Sequence, residues 1–198
     1  MTTAARKPGH RLHLPGTHND TETDADTGTN TGRGTSETSA VAYVWAVARL
    51  SLGWIFLWAF LDKTFGLGHD TADKAAWVNG GHPTQGFMAK GTKGPFADLY
   101  QNMAGNAFVD WLFMLGLLGI GTALILGIGM RIAAGAGALL LVLMWTAVLP
   151  PANNPFMDDH LIYALLIVGL ALVSAGNTLG LGRWWQSTPL VRNHPILK

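Results

Sequence analysis

The chain has 198 residues, of which 49% are hydrophobic and 13% are charged, and its formal net charge is +1. Soluble domains carry about 25% charged residues, so this chain is unusually poor in charge for a soluble protein. The basic residues form no stripe, which argues against a nucleic acid partner. The 198 residues include no cysteine. Disulfides, thiol redox chemistry, iron–sulfur clusters and thiolate metal sites are therefore excluded within them.

The first 40 residues are rich in Thr, Gly, Asp and Asn, and their apolar residues do not recur at the spacing of a helix or a strand. Such a composition buries too little apolar surface to fold, so it predicts a disordered polar tail over residues 1–40. The remaining chain is predicted to form one membrane domain over residues 41–182, followed by a juxtamembrane tail over residues 183–198.

Four apolar runs follow the predicted tail: Val41–Leu61, Phe108–Met130, Ile132–Leu149 and Leu161–Leu179. A helix needs about 20 apolar residues to cross the ~30 Å hydrocarbon core of a bilayer. Four such runs with almost no polar face favour membrane helices over buried helices of a soluble protein. The fold predicted is therefore an all-α bundle of four transmembrane helices in the cell membrane.

The segments between these runs predict the topology. Only Arg131 separates the second and third runs, so these form a tight antiparallel hairpin, whereas a long loop over residues 62–107 joins the first two. The connection over residues 150–160 has no Lys or Arg, and the opposite face carries Arg131, Arg183, Arg192 and Lys198. Because basic residues concentrate on the cytoplasmic side, both termini are predicted to be cytoplasmic and the long loop extracytoplasmic.

Two charged positions lie close together along the first helix. Twelve residues separate Arg49 from Asp62, which is about 18 Å of helix and well short of the hydrocarbon thickness. Arg49 and Lys63 have side chains long enough to reach outward, but Asp62 does not. At least one of these charges is therefore predicted to face the bundle interior or a polar cavity, where charged residues are functional hypotheses. The alternative for Arg49 is a structural side chain that reaches the headgroups.

Polar residues are predicted to gather on the outer face. Asp62 and Lys63 end the first helix, Asp110 begins the second, and His160 precedes the fourth. With the long loop they would form an acidic, histidine-containing lid, for which a metal site, a proton relay to a quinone and a docking surface all stay open. The Asp158–His160 run favours helix capping by Asp158 or Asp159 over a metal site, because its three side chains are adjacent rather than on one helical face. No metal site is predicted.

Tryptophans supply candidate cofactor contacts. Trp54 and Trp58 fall within the first helix, and Trp111 lies near the start of the second. Aromatic surfaces can hold a quinone ring, and packing against lipid is the alternative. Quinone is thus the predicted cofactor, with Arg49, Trp54, Trp58 and Trp111 as its candidate contacts and Asp62, Lys63, Asp110 and His160 as candidate catalytic residues.

Three stretches together resemble a known family: ARLSLGWIFLWAFLDKTFG from Ala48, WVNGGHPTQGF from Trp77, and LGIGTALILGIGMRIAAGAGALLLVLMW from Leu118. They are similar to the DoxX/DoxD family of small membrane proteins. The resemblance implies a four-helix membrane bundle and quinone-linked redox chemistry, since DoxD-type subunits belong to thiosulfate:quinone oxidoreductases. It also implies a partner redox subunit and a small sulfur-oxyanion substrate. A non-catalytic anchor or scaffold for a soluble redox-stress enzyme is the alternative, and a small transporter is a weaker one.

Overall fold

The computed structural model describes residues 31–198, and every regular element within this range is a helix. The α-helices are α1 (Thr31–Phe65), α2 (Ala97–Gln101), α3 (Ala107–Leu126), α4 (Met130–Ala147), α5 (Asp159–Leu172), α6 (Gly182–Ser187) and α7 (Pro189–Asn193), and the other elements are short 3₁₀ or π turns. The tail predicted to be disordered lies outside the described residues over 1–30. Helix α1 already begins at Thr31, before the predicted apolar start at Val41.

Within the described residues, three helices are long and apolar enough to cross a membrane: Ser39–Phe65 within α1, Ala107–Leu126 and Met130–Ala147. Large apolar side chains face outward along them, among them Leu112 and Leu139. Water would disfavour such surfaces over whole helices, whereas lipid accepts them. The predictions of an all-helical fold and of membrane-spanning character are supported to this extent.

Helix α5 is shorter than the predicted run Leu161–Leu179. It has 14 residues, about 21 Å of helix. It ends at Leu172 because Ser174 adopts a left-handed conformation (φ 53°) and the chain continues into a 3₁₀ turn, Ala175–Asn177. Gly176 lies so close to Gly127 that a Cβ on it would meet the Gly127 carbonyl oxygen at 2.3 Å. The turn is therefore set by close backbone packing, which hydropathy does not detect.

Helix α1 packs along α3, α3 also contacts α4, and α5 packs along α4. The long loop covers one end of this bundle, where the Lys93 amide donates to the Ala147 carbonyl at 2.9 Å; we call this end the loop face. The C-terminal segment covers the other end, where the Leu181 amide donates to the Leu126 carbonyl at 2.8 Å; we call it the tail face. Between the two faces, helices α1, α3, α4 and α5 share an apolar core: Leu52, Phe56, Met114, Leu117, Ile120, Leu124, Leu141, Ile167 and Leu170.

Glycines bring α1 and α3 into close contact. A Cβ on Gly121 would lie 2.8 Å from the Leu57 backbone nitrogen, and one on Gly53 would lie 2.9 Å from the Leu124 Cβ. Small residues at such crossings let helix backbones approach closely in membrane bundles. The tight crossing fixes how the two ends of α1 meet the segments that cover the bundle.

The substitution Gly121→Ala tests this crossing. We expect it to lower the free energy of unfolding by about 1–3 kcal/mol, because the added methyl meets backbone rather than a movable side chain. Gly119→Ala is the matched control, since no atom lies within 4 Å of its Cβ position. Thermal unfolding in mild detergent measures both, and equal melting temperatures for the two variants would contradict the close crossing.

Candidate functional site

Asp62 lies at the loop-face end of α1 and is only 1% exposed. Its carboxylate accepts hydrogen bonds from three successive backbone amides, those of His69 (3.3 Å), Asp70 (3.0 Å) and Thr71 (2.8 Å). A carboxylate is unfavourable at the carbonyl end of a helix, and the three donors compensate for this position. Gly66 and Gly68 have positive φ (64° and 82°), which glycine adopts without steric cost. These two residues turn the chain back over Asp62.

Beside Asp62, a row of aromatic rings continues along the outer side of α1. The Trp54 and Trp58 ring centroids are 5.8 Å apart, and the His69 ring meets the Trp58 ring edge-to-face at 5.1 Å. Lys63 pairs with Asp70 at 2.7 Å, with Asp70 82% exposed. These residues line an open cavity of about 510 Å³, which we call the aromatic groove: Trp54, Ile55, Trp58, Ala59, Asp62, Lys63, His69 and Asp70.

Asp110 holds a second part of the long loop. It is 2% exposed at the start of α3, and its carboxylate accepts from the Thr84 amide (3.0 Å) and the Thr84 hydroxyl (2.6 Å). The His82 Nδ1 lies 2.7 Å from its other oxygen. Two buried carboxylates, one from each of the first two long helices, therefore fix the loop that covers this end of the bundle.

Arg49 is buried at the tail-face half of α1, with 0% exposure. Its guanidinium donates to the carbonyls of Leu124 and Ile125 in the last turn of α3, and to those of Thr178 (3.2 Å) and Leu179 (2.8 Å). The last carbonyls of a helix have no partner within that helix, so Arg49 satisfies them. The prediction that a charge on α1 faces the interior is confirmed for both Arg49 and Asp62. The alternative of a structural Arg49 agrees with these contacts, and the side chain ends on carbonyls inside the bundle.

The Asp158–His160 run lies at the start of α5. Asp158 accepts from the Leu161 amide at 3.2 Å, which confirms the predicted helix cap. The Asp158 carboxylate also lies 2.7 Å from the His160 Nδ1. Polar atoms of Asp158, Asp159 and His160 lie within 4.8 Å of one another, but the contacts within the run and its cap account for the arrangement of Asp158 and His160.

Four of the eight predicted site residues meet in the aromatic groove: Trp54, Trp58, Asp62 and Lys63. The others lie elsewhere. Arg49 precedes Asp62 by thirteen positions on α1, which is about 20 Å along the helix axis. Asp110 and His160 belong to the separate clusters described above, and Trp111 packs edge-to-face against Trp77 at 4.6 Å.

The predicted site did not include four residues that contact its two buried carboxylates: His69, Asp70, His82 and Thr84. The Gly66 and Gly68 pair after Asp62 is the one local signal for the returning turn. The Asp110 contacts have no such signal, because they join positions 26 and 28 residues apart.

Comparisons of the chain with protein family models, with curated proteins and with solved structures gave no match. The resemblance to the DoxX/DoxD family therefore stays a prediction.

Asp62→Asn tests whether this carboxylate holds the groove. We expect the amides of His69, Asp70 and Thr71 to exchange hydrogen about tenfold faster or more, because hydrogen bonds to a charged acceptor contribute about 1.5–3 kcal/mol. Asp70→Asn is the matched control: it removes an acid from the same turn, and that carboxylate contacts Lys63 at the exposed surface. Hydrogen–deuterium exchange with mass spectrometry gives both rates, and unchanged protection in Asp62→Asn would show that other contacts hold the turn.

Proposed function

We propose that the chain is the membrane subunit of a quinone-linked oxidoreductase and that the quinone ring binds in the aromatic groove. The observation that carries this proposal is the composition of that groove. Tryptophan rings and aliphatic side chains form most of its wall, and hydrogen-bond donors and charges stand at its loop-face end. Ligand sites are commonly apolar with a few placed polar groups.

A four-span topology is part of the proposal. Helix α5 is apolar, packs along α4 and has 14 residues. The residues on either side of α5 and local thinning of the bilayer make up the missing length, because membranes accommodate short helices in this way. Four spans return the chain to the face from which it started. The basic residues of the tail face favour cytoplasmic termini and an extracytoplasmic long loop.

The chemistry of a quinone matches the groove in two respects. Its ring is planar and apolar, and Trp54 and Trp58 offer aromatic surfaces on which such a ring packs. Trp54 and Ile55 are 52% and 46% exposed on the outer side of α1, so the groove opens toward lipid, where quinone dissolves. The quinone carbonyl oxygens accept hydrogen bonds, which the Lys63 ammonium and the His69 ring can donate at the loop-face end.

Quinone reduction takes up two electrons and two protons, and the protons come from water at the loop-face end of the groove, where Asp70 is 82% exposed. A sulfur oxyanion or a partner redox subunit supplies the electrons in this proposal, because the 198 residues hold no cysteine to carry them. Lys63 attracts the anionic donor, since its ion pair with the exposed Asp70 contributes little and opens readily in water. Asp62 accepts three backbone hydrogen bonds, so we assign it a positioning role: it holds His69 and Asp70 at the groove.

The proposal predicts that quinone copurifies with the chain and depends on Trp58. We expect Trp58→Ala to lower bound quinone about tenfold, through lost ring packing and apolar contact area. Trp184→Ala is the matched control, because Trp184 is 61% exposed and lies outside the groove. Organic extraction of protein purified in mild detergent, followed by mass spectrometry, measures the quinone bound to each monodisperse variant.

Absence of quinone from folded wild-type protein would overturn the quinone proposal and favour a non-catalytic scaffold for a soluble redox enzyme. Exposed apolar residues of the long loop support this second candidate: Val78, Phe96 and Leu99. Such side chains on a well-anchored loop suit a docking surface. Recovery of an oxidoreductase on wild-type protein, and its loss when Val78 and Leu99 are changed to Ser, would identify that role.

A further inference from the structure

The two faces of the bundle differ in their acidic residues, although both carry basic ones. Beyond residue 38 every acidic residue lies on the loop face, in the long loop, at the adjoining helix ends or before α5. From residue 39 onward, the tail face carries four exposed cations: Arg131, Arg183, Arg192 and Lys198. Within the described part of the chain none of the four forms an ion pair. Their charge is therefore not neutralised by any acidic side chain beyond residue 38.

A cavity of about 160 Å³ opens among these residues at the tail face. Arg131 and Lys198 line it together with the amide side chains of Asn177 and Gln186, and Leu172 forms part of its apolar wall. Leu172 is 79% exposed at the end of α5. One cavity thus combines positive charge and hydrogen-bond donors with an apolar surface that continues onto the outside of the bundle.

The cavity is formed by contacts that dock the C-terminal segment onto the bundle. The Arg131 amide donates to the Lys198 carbonyl at 2.8 Å, and the Arg131 Nη1 donates to the Pro195 carbonyl at 3.0 Å. The Trp185 indole donates to the Leu197 carbonyl at 2.5 Å. Because the Arg131 guanidinium has further N–H groups, it can still donate to a ligand.

The surface around the cavity has the composition of a segment that lies at a membrane interface. Exposed apolar residues alternate there with Arg183 and Arg192: Leu179, Leu181, Trp184, Leu190 and Ile196. Tryptophan and arginine are typical of the headgroup region, and a mixed basic and apolar surface binds anionic lipid.

We propose that the tail-face cavity binds an anionic phospholipid. Its phosphate lies between the Arg131 and Lys198 side chains, and its acyl chain follows Leu172 along the bundle. Arginine pairs well with phosphate oxygens because its planar fork donates two hydrogen bonds. A zwitterionic lipid fits less well, because its ammonium would meet the same cations. This site is independent of quinone binding on α1.

Native mass spectrometry of the full chain in mild detergent tests the proposal, with dioleoylphosphatidylglycerol as the probe and dioleoylphosphatidylcholine as the neutral comparison. We expect phosphatidylglycerol adducts to exceed phosphatidylcholine adducts at least tenfold. Arg131→Gln combined with Lys198→Gln should weaken phosphatidylglycerol binding about 25-fold, since each basic residue near an anionic surface contributes about fivefold.

Lys74→Gln with Lys90→Gln is the matched control, because it removes the same charge from exposed positions of the loop face; this variant should keep the preference. Lys198→Gln alone should weaken binding about fivefold, and it leaves intact the bonds made by the Lys198 backbone and by Arg131. Arg131→Lys should retain most binding through its charge.

An unchanged preference in the Arg131 and Lys198 double variant would overturn the proposal, and so would an equal loss in the loop-face control. Soluble glycerol phosphate binding as tightly as the lipid would also overturn it and identify a site for small free anions instead.

Discussion

A charge inside an apolar helix bundle is costly unless the protein supplies its hydrogen-bond partners, and helix α1 buries two charges. Arg49 binds carbonyls at the end of α3 and in the turn after α5. Asp62 binds three amides of the long loop. Each charge thus satisfies backbone groups that no regular helix can pair, and each fixes a covering segment at one end of the bundle. The close crossing of α1 and α3 keeps both ends of α1 in place.

This arrangement connects the bundle core to the aromatic groove. The groove takes Trp54 and Trp58 from α1, but its donor end depends on His69 and Asp70, which the Asp62 carboxylate holds in position. Trp58 in turn packs against the His69 ring at 5.1 Å. The buried Asp62 carboxylate and the aromatic groove are therefore one structural unit on the loop face. The lipid site proposed on the tail face uses exposed cations and needs no such burial.

Sequence could predict the apolar helices and the burial of charge on α1, because both follow from hydropathy and from the length of a helix. It could not predict the partners of Arg49, which lie 75 to 130 residues away along the chain. The early end of α5 was also beyond it, since Ser174 turns where Gly176 packs against Gly127. Of the predicted site, the α1 residues could be grouped by local spacing, whereas His69 joined them through a turn in the loop.

Photolabelling maps ligand position directly and so tests the groove more closely than any change in quinone content. The purified chain would be illuminated with an azido-quinone analogue, digested and sequenced by mass spectrometry. Quinone binding in the groove predicts label confined to residues 54–70 and suppressed by excess unmodified quinone. Label concentrated on α4, α5 or the tail face, or label that excess quinone leaves unchanged, would contradict it.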